Sequence, residues 1–113
     1  METKFRYAIK FVADMDQALA FYRDVMGLTV RFATPEWSEF DTGDVTLALH
    51  PASEKNPAGG VEIGFSTENL SQLYAERAAN RLAFAEAPRL EHGTLLSQIL
   101  DCEGVAISLS GKP

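Results

Sequence analysis

The chain repeats itself. A strand-like run, Tyr7–Val12, leads into Asp14-Met-Asp-Gln17, and a second run, Glu62–Thr67, leads into Asn69-Leu-Ser-Gln72, so a helix-capping pattern recurs 55 residues on. The halves also close alike: Val45-Thr-Leu-Ala-Leu49 matches Val105-Ala-Ile-Ser-Leu109 at an offset of 60, with the five extra residues falling in between. This pattern predicts an α+β fold of two βαβββ modules, with a curved mixed sheet around a cleft and the helices outside. Equivalent positions on the cleft face then decide the chemistry.

With 113 residues and 46% hydrophobic composition, a single domain with its own core is expected, without disulfides or structural metal. The expected boundaries are about 4–50 for the first module, 51–60 for a linker and about 61–110 for the second. A formal charge of −6 and the lack of any basic run exclude a phosphate backbone as partner. The lone Cys102 cannot bridge internally, and Met1–Lys10 lacks the charged-then-apolar pattern of a signal peptide, so a cytoplasmic location is expected. No apolar run approaches the roughly 20 residues that span a bilayer, so no membrane partner is expected.

Residues 4–12 read as a strand, after which Asp14 caps a helix carrying Ala18, Leu19, Tyr22, Val25 and Met26 at helical spacing, stopped by Gly27. Strands are expected at 28–33, 37–42 and 45–50, then a loop-like stretch Pro51–Gly60. The second half predicts a strand over 61–67 and a helix over 70–80 that buries Leu70, Leu73, Tyr74 and Ala78. A weaker strand follows over 82–87, then a loop Pro88–Gly93, and two strands at about 94–101 and 105–110 around an Asp101–Gly104 turn.

Phe11-Val-Ala-Asp14 leading to Ala20-Phe-Tyr-Arg-Asp-Val-Met-Gly-Leu28, and Asp101-Cys-Glu-Gly104 before the final strand, are the most distinctive segments. On these the chain resembles the vicinal oxygen chelate superfamily, which groups glyoxalase I, bleomycin-resistance proteins and extradiol dioxygenases. Cys102 stands where the family's turn usually carries proline. The resemblance implies a cup with up to four metal-ligand positions, which fall here on Tyr7, Ala48, Glu62 and Ser108. Only Glu62 is a good ligand for a divalent cation, so the resemblance points to the metal-free, ligand-binding branch, with no cofactor.

Strand alternation puts Glu62, Gly64 and Ser66 on one face, with Ile63 and Phe65 toward the helices. The same rule aims Tyr7, Ile9 and Phe11 into the cup, leaves Lys10 on the helix-packed face, and brings His50 to the face of Ala48. Trp37 and Phe40 are expected to form a wall. The candidate ligand-binding residues are Glu62, Tyr7, Trp37, His50, Ile9, Phe11, Ser66 and Ser108, with no catalytic or metal-ligating residue assigned. The expected function is non-catalytic binding or sequestration of a small, cationic aromatic molecule by a homodimer. One alternative is a metal-dependent lyase or isomerase of the glyoxalase type, with Glu62 as base or ligand and His50 beside it. Another is an interaction module whose cup is filled by its own side chains.

Overall fold

The computed structural model describes residues 2–113. It is an α+β chain in two compact units, Arg6–Glu62 and Ile63–Pro113, the latter joined by the N-terminal residues through Phe5. Among the described residues, no helix is long and apolar enough to cross a membrane.

In the first unit the elements are β1 (Lys4–Val12), α1 (Met15–Ala20), β2 (Thr29–Ala33), β3 (Ser38–Asp41) and β4 (Thr46–Pro51). The strands lie in the order β2-β3-β4-β1, with β1 parallel to β4 and the other neighbours antiparallel. Asp14 caps α1 as expected, its Oδ1 accepting from the Gln17 N–H at 3.0 Å. The helix then widens. Phe21–Val25 forms a π-type turn in which the Met26 N–H reaches the Phe21 carbonyl at 3.1 Å, before Gly27 turns the chain at φ +73°. Widening breaks the 3.6-residue period, so Val25 and Met26, expected inside, are 72% and 55% exposed. The buried layer beneath the helix is Val12, Phe40 and Leu49, covered by Ala18, Leu19, Tyr22 and Val30. Lys10 also lies on this side. Its stem carries the ammonium to the Tyr22 hydroxyl at 3.0 Å, so the misfit is resolved by snorkelling.

The second unit contains β5 (Val61–Thr67, continuing from the first), α2 (Leu70–Ala75), β6 (Ala83–Glu91), β7 (Thr94–Leu100) and β8 (Ala106–Gly111), with strand order β5-β8-β7-β6. The registers of the two halves correspond: Ile9 pairs with Ala48 in one, and Gly64 with Ser108 in the other. Helix α2 is shorter than the periodicity predicts. Leu70 and Leu73 are buried, Tyr74 stacks edge-on against Phe84, and the chain leaves helical geometry before Ala78, which is exposed.

One further expectation is corrected. Pro88–Gly93 is not a loop, since β6 runs through Pro88 to Glu91 and turns at His92 and Gly93, both with positive φ. Proline is tolerated there because β6 ends the strand order and its register shifts between Glu86 and Arg89. The loop-like stretch 51–60 is tied at both ends. Its two ends bond to the end of β1, the Ala52 N–H to the Val12 carbonyl at 2.8 Å and the Gly59 N–H to the Phe11 carbonyl at 2.9 Å.

Candidate functional site

Alternation along three strands of the first unit brings one set of side chains onto the sheet face opposite α1. The register sets Tyr7 beside Thr46, Ile9 beside Ala48, Phe11 beside His50, and Glu39 on the other side of Ala48. Ile9, Phe11 and Ala48 are buried, and Tyr7, Trp37 and Ala52 pack on them. Aromatic edges interlock above this floor. The Trp37 ring stands 6.2 Å from Tyr7 and 6.1 Å from His50, both edge-on, and Phe11 is 5.6 Å from His50.

Trp37 is presented by a tight turn. Its N–H donates to the Thr34 hydroxyl at 2.9 Å, and that hydroxyl donates to the Trp37 carbonyl at 2.7 Å. Two residues on, the side chain of Glu39 is only 9% exposed, a position a carboxylate occupies only with good partners. It has them on both oxygens: the Trp37 indole N–H donates to Oε2 at 2.7 Å, and Arg31 Nη1 donates to Oε1 at 3.0 Å. The same Nη1 donates to Thr46 Oγ1 at 2.9 Å, and Nη2 lies 3.7 Å from Asp41. Arg31 follows Val30, which packs with Phe40 on the helix side, so alternation sets Arg31 on the face of Glu39; the register shift falls between Val30 and Phe32. Burial, and secondarily the Glu39 charge, push the Tyr7 phenol above its ordinary pKa, so it stays protonated.

Five of the expected residues, Tyr7, Ile9, Phe11, Trp37 and His50, therefore share one face of one unit. His50 is exposed, and its Nδ1 sits 2.8 Å from the Pro51 carbonyl; a carbonyl only accepts, so Nδ1 carries the proton. Glu62 is partly buried near the start of β5. Ser66 and Ser108 lie on the paired strands β5 and β8, where Gly64 faces Ser108 and Ser66 faces Ser110, so alternation sets them on one face. Phe40 does not join Trp37. It is fully buried on the helix side with Val12 and Leu49, because residues 37 and 40 are an odd number apart on one strand path. Ile63, expected against the helices, is 41% exposed.

Glu39 and Arg31 were not among the sequence candidates. Alternation from Trp37 through Glu39 to Asp41 holds the signal for the first, and alternation from Val30 holds it for the second, whereas their pairing needs the strand register. Among the described residues, no three His, Cys, Asp or Glu side chains are placed to hold a metal ion. The donor chemistry agrees: Ala48 offers no ligand atom, and Tyr7 is held as the neutral phenol. In the second unit a surface hollow of about 360 Å³ lies beside α2, bordered by Glu2, Glu68, Gln72 and Glu76. Its carboxylates are exposed, and the aromatic face holds the richer chemistry.

The model of the Glyoxalase/Bleomycin resistance protein/Dioxygenase superfamily matches residues 4–109. Among solved structures, methylmalonyl-CoA epimerase from Streptomyces coelicolor, a variant in complex with 2-nitronate-propionyl-CoA, is similar at 19% identity and TM-score 0.78, covering 99% of this chain and 96% of that one. A hypothetical protein from Bacillus halodurans C-125 is similar at 17% identity and TM-score 0.78, covering 100% and 96%. A glyoxalase/bleomycin resistance protein/dioxygenase superfamily member from Vibrio splendidus 12B01 gives 15% identity and TM-score 0.72, covering 98% and 100%. At these identities the likeness shows the fold alone. No functionally curated protein matches the chain significantly.

Proposed function

Because the chain belongs to the Glyoxalase/Bleomycin resistance protein/Dioxygenase superfamily, and because the positions where the resemblance puts metal ligands carry Tyr7, Ala48, Glu62 and Ser108, we propose that it binds a small aromatic molecule without transforming it. The observation that carries this reading is the aromatic face of the first unit, where Tyr7, Trp37 and His50 stand edge-on above a floor of Ile9, Phe11 and Ala48. Flat ligands stack on such surfaces. The chain's net charge of −6 favours a cationic ligand, with Glu62 as the polar anchor. Sequestration of this kind, as in bleomycin resistance, needs affinity and abundance and no reactive group.

An epimerase or lyase reading requires an electrophile to polarise the substrate and a base beside it. An alanine at 48 and a protonated phenol at 7 do not supply a metal site for that role. We further propose that the chain works as a homodimer in the cytoplasm. Exposed Phe5, Phe32, Val61 and Leu90 are apolar surface that a second copy would cover.

Trp37 is the sole tryptophan, so its fluorescence reports occupancy directly. A panel of planar aromatic cations titrated against the protein is expected to yield a binder that changes Trp37 emission and weakens about tenfold or more in Glu62→Gln. Equal affinity in both proteins refutes the role of Glu62. Elemental analysis that finds about one transition metal per chain, lost in Glu62→Ala, refutes the metal-free reading.

A further inference from the structure

We infer that Glu39 is a positioning residue for the aromatic face: its carboxylate holds the Trp37 indole in place for stacking, and Arg31 acts on the indole through it. The inference rests on the ligand-binding reading of this face and deepens it. Trp37 precedes β3, and the Thr34 turn fixes its backbone but not its ring. The edge contacts to Tyr7 and His50 limit the ring without giving it a direction, and His50 is itself exposed. The directional constraint is the 2.7 Å bond from the indole N–H to Glu39 Oε2, an acceptor that carries charge.

Glu39 can serve this role because it is buried and bonded on both oxygens. Its side chain is 9% exposed, and its other oxygen is tied to Arg31, which is tied in turn to Thr46 on the neighbouring strand. No buried side-chain N or O atom among the described residues lacks a hydrogen-bond partner, so the relay is fully satisfied. An indole that donates to an anion is also richer in electron density over its ring. That enrichment raises its attraction for a cation. Glu39 therefore has both oxygens engaged within the protein and acts on a cationic ligand through the face of Trp37, not as its counter-ion.

The test uses the full chain with N-methylphenanthridinium and phenanthridine as probes, a charged and a neutral ring of nearly equal shape, measured by calorimetry at pH 8. In the wild type the Trp37 indole N–H is expected to be protected from hydrogen exchange, and its fluorescence anisotropy to decay without a fast component. Glu39→Gln keeps an acceptor for the indole and should stay rigid while losing about threefold of any preference for the cation. Glu39→Leu removes the acceptor, so a fast anisotropy component should appear and both probes should weaken about tenfold, roughly one hydrogen bond's worth. An indole as rigid in a cooperatively folded Glu39→Leu as in the wild type overturns the inference. Should that variant not fold, rapid exchange of the wild-type indole N–H overturns it and protection supports it. If neither probe binds the wild type, the ligand reading fails for this class, yet exchange and anisotropy still decide the role of Glu39.

Discussion

Arg31 and Glu39 form a 3.0 Å ion pair in which the two partners sit in different solvents: the guanidinium side chain is 41% exposed and the carboxylate 9%. The asymmetry matters for energetics. Removing the buried partner frees an arginine that water can still solvate, whereas removing Arg31 strands a carboxylate that water reaches poorly.

Arg31→Ala is therefore expected to destabilise the protein by about 1–3 kcal/mol, below the cost of breaking a fully buried pair because one partner is wet. Glu39→Gln in the same background should recover part of the loss, since it neutralises the stranded charge. Urea denaturation of the two single variants and the double variant checks this. Additive losses would refute the coupling.

The Tyr7 phenol provides a pH test. Burial and the Glu39 charge raise its folded pKa above the unfolded value near 10.0. The folded state holds the proton more tightly, so the associated stability is fully present below about 10 and is lost as pH rises through the raised value. Absorbance titration at 295 nm, compared with Tyr7→Phe, is expected to show one phenol that ionises late. Glu39→Gln should bring it earlier without restoring the ordinary value, because burial is the larger cause. A Tyr7 that titrates normally would place it in water.

The two caps should differ. Asp14→Ala removes the 3.0 Å acceptor of the Gln17 N–H and is expected to cost about 1 kcal/mol. Asn69 makes no side-chain cap bond, so Asn69→Ala should change stability by less than about 0.5 kcal/mol. Thermal melts of both variants compare them directly, and equal losses would contradict the difference.

Two glycines carry distinct constraints. Gly93 has φ +80° in the β6–β7 hairpin, with open space where a Cβ would go, so Gly93→Ala should cost about 1–2 kcal/mol through backbone strain alone. Gly111 has an ordinary φ, but a Cβ there would lie 2.8 Å from the Thr67 carbonyl oxygen and 3.0 Å from Leu70 Cβ. Gly111→Ala is expected to cost at least as much and to loosen α2 from β8, seen as faster amide exchange in residues 70–75. A neutral Gly111→Ala would contradict the close approach.

The legible part of the fold was the part set by local rules. Alternation placed Tyr7, Ile9 and Phe11 on one face and Lys10 on the other, and Asp14 and Gly27 marked where the first helix begins and turns. The repeat also carried through to the registers, with Ile9 beside Ala48 and Gly64 beside Ser108. The missed parts were changes of period. A π-type turn moved Val25 and Met26 to solvent, and a proline at an irregular edge carried β6 through an apparent loop.

The sequence by itself determined the order of the elements, the two-module plan and the aromatic character of the candidate face, because each follows from periodicity and side-chain type along a few neighbouring residues. Tertiary structure alone decided what that face does with its charges. Arg31, Glu39 and Thr46 are separated by up to 15 residues and meet only because β2, β3 and β4 lie side by side. A buried carboxylate is tolerated only where its partners converge on it, and that convergence is a property of three strands together.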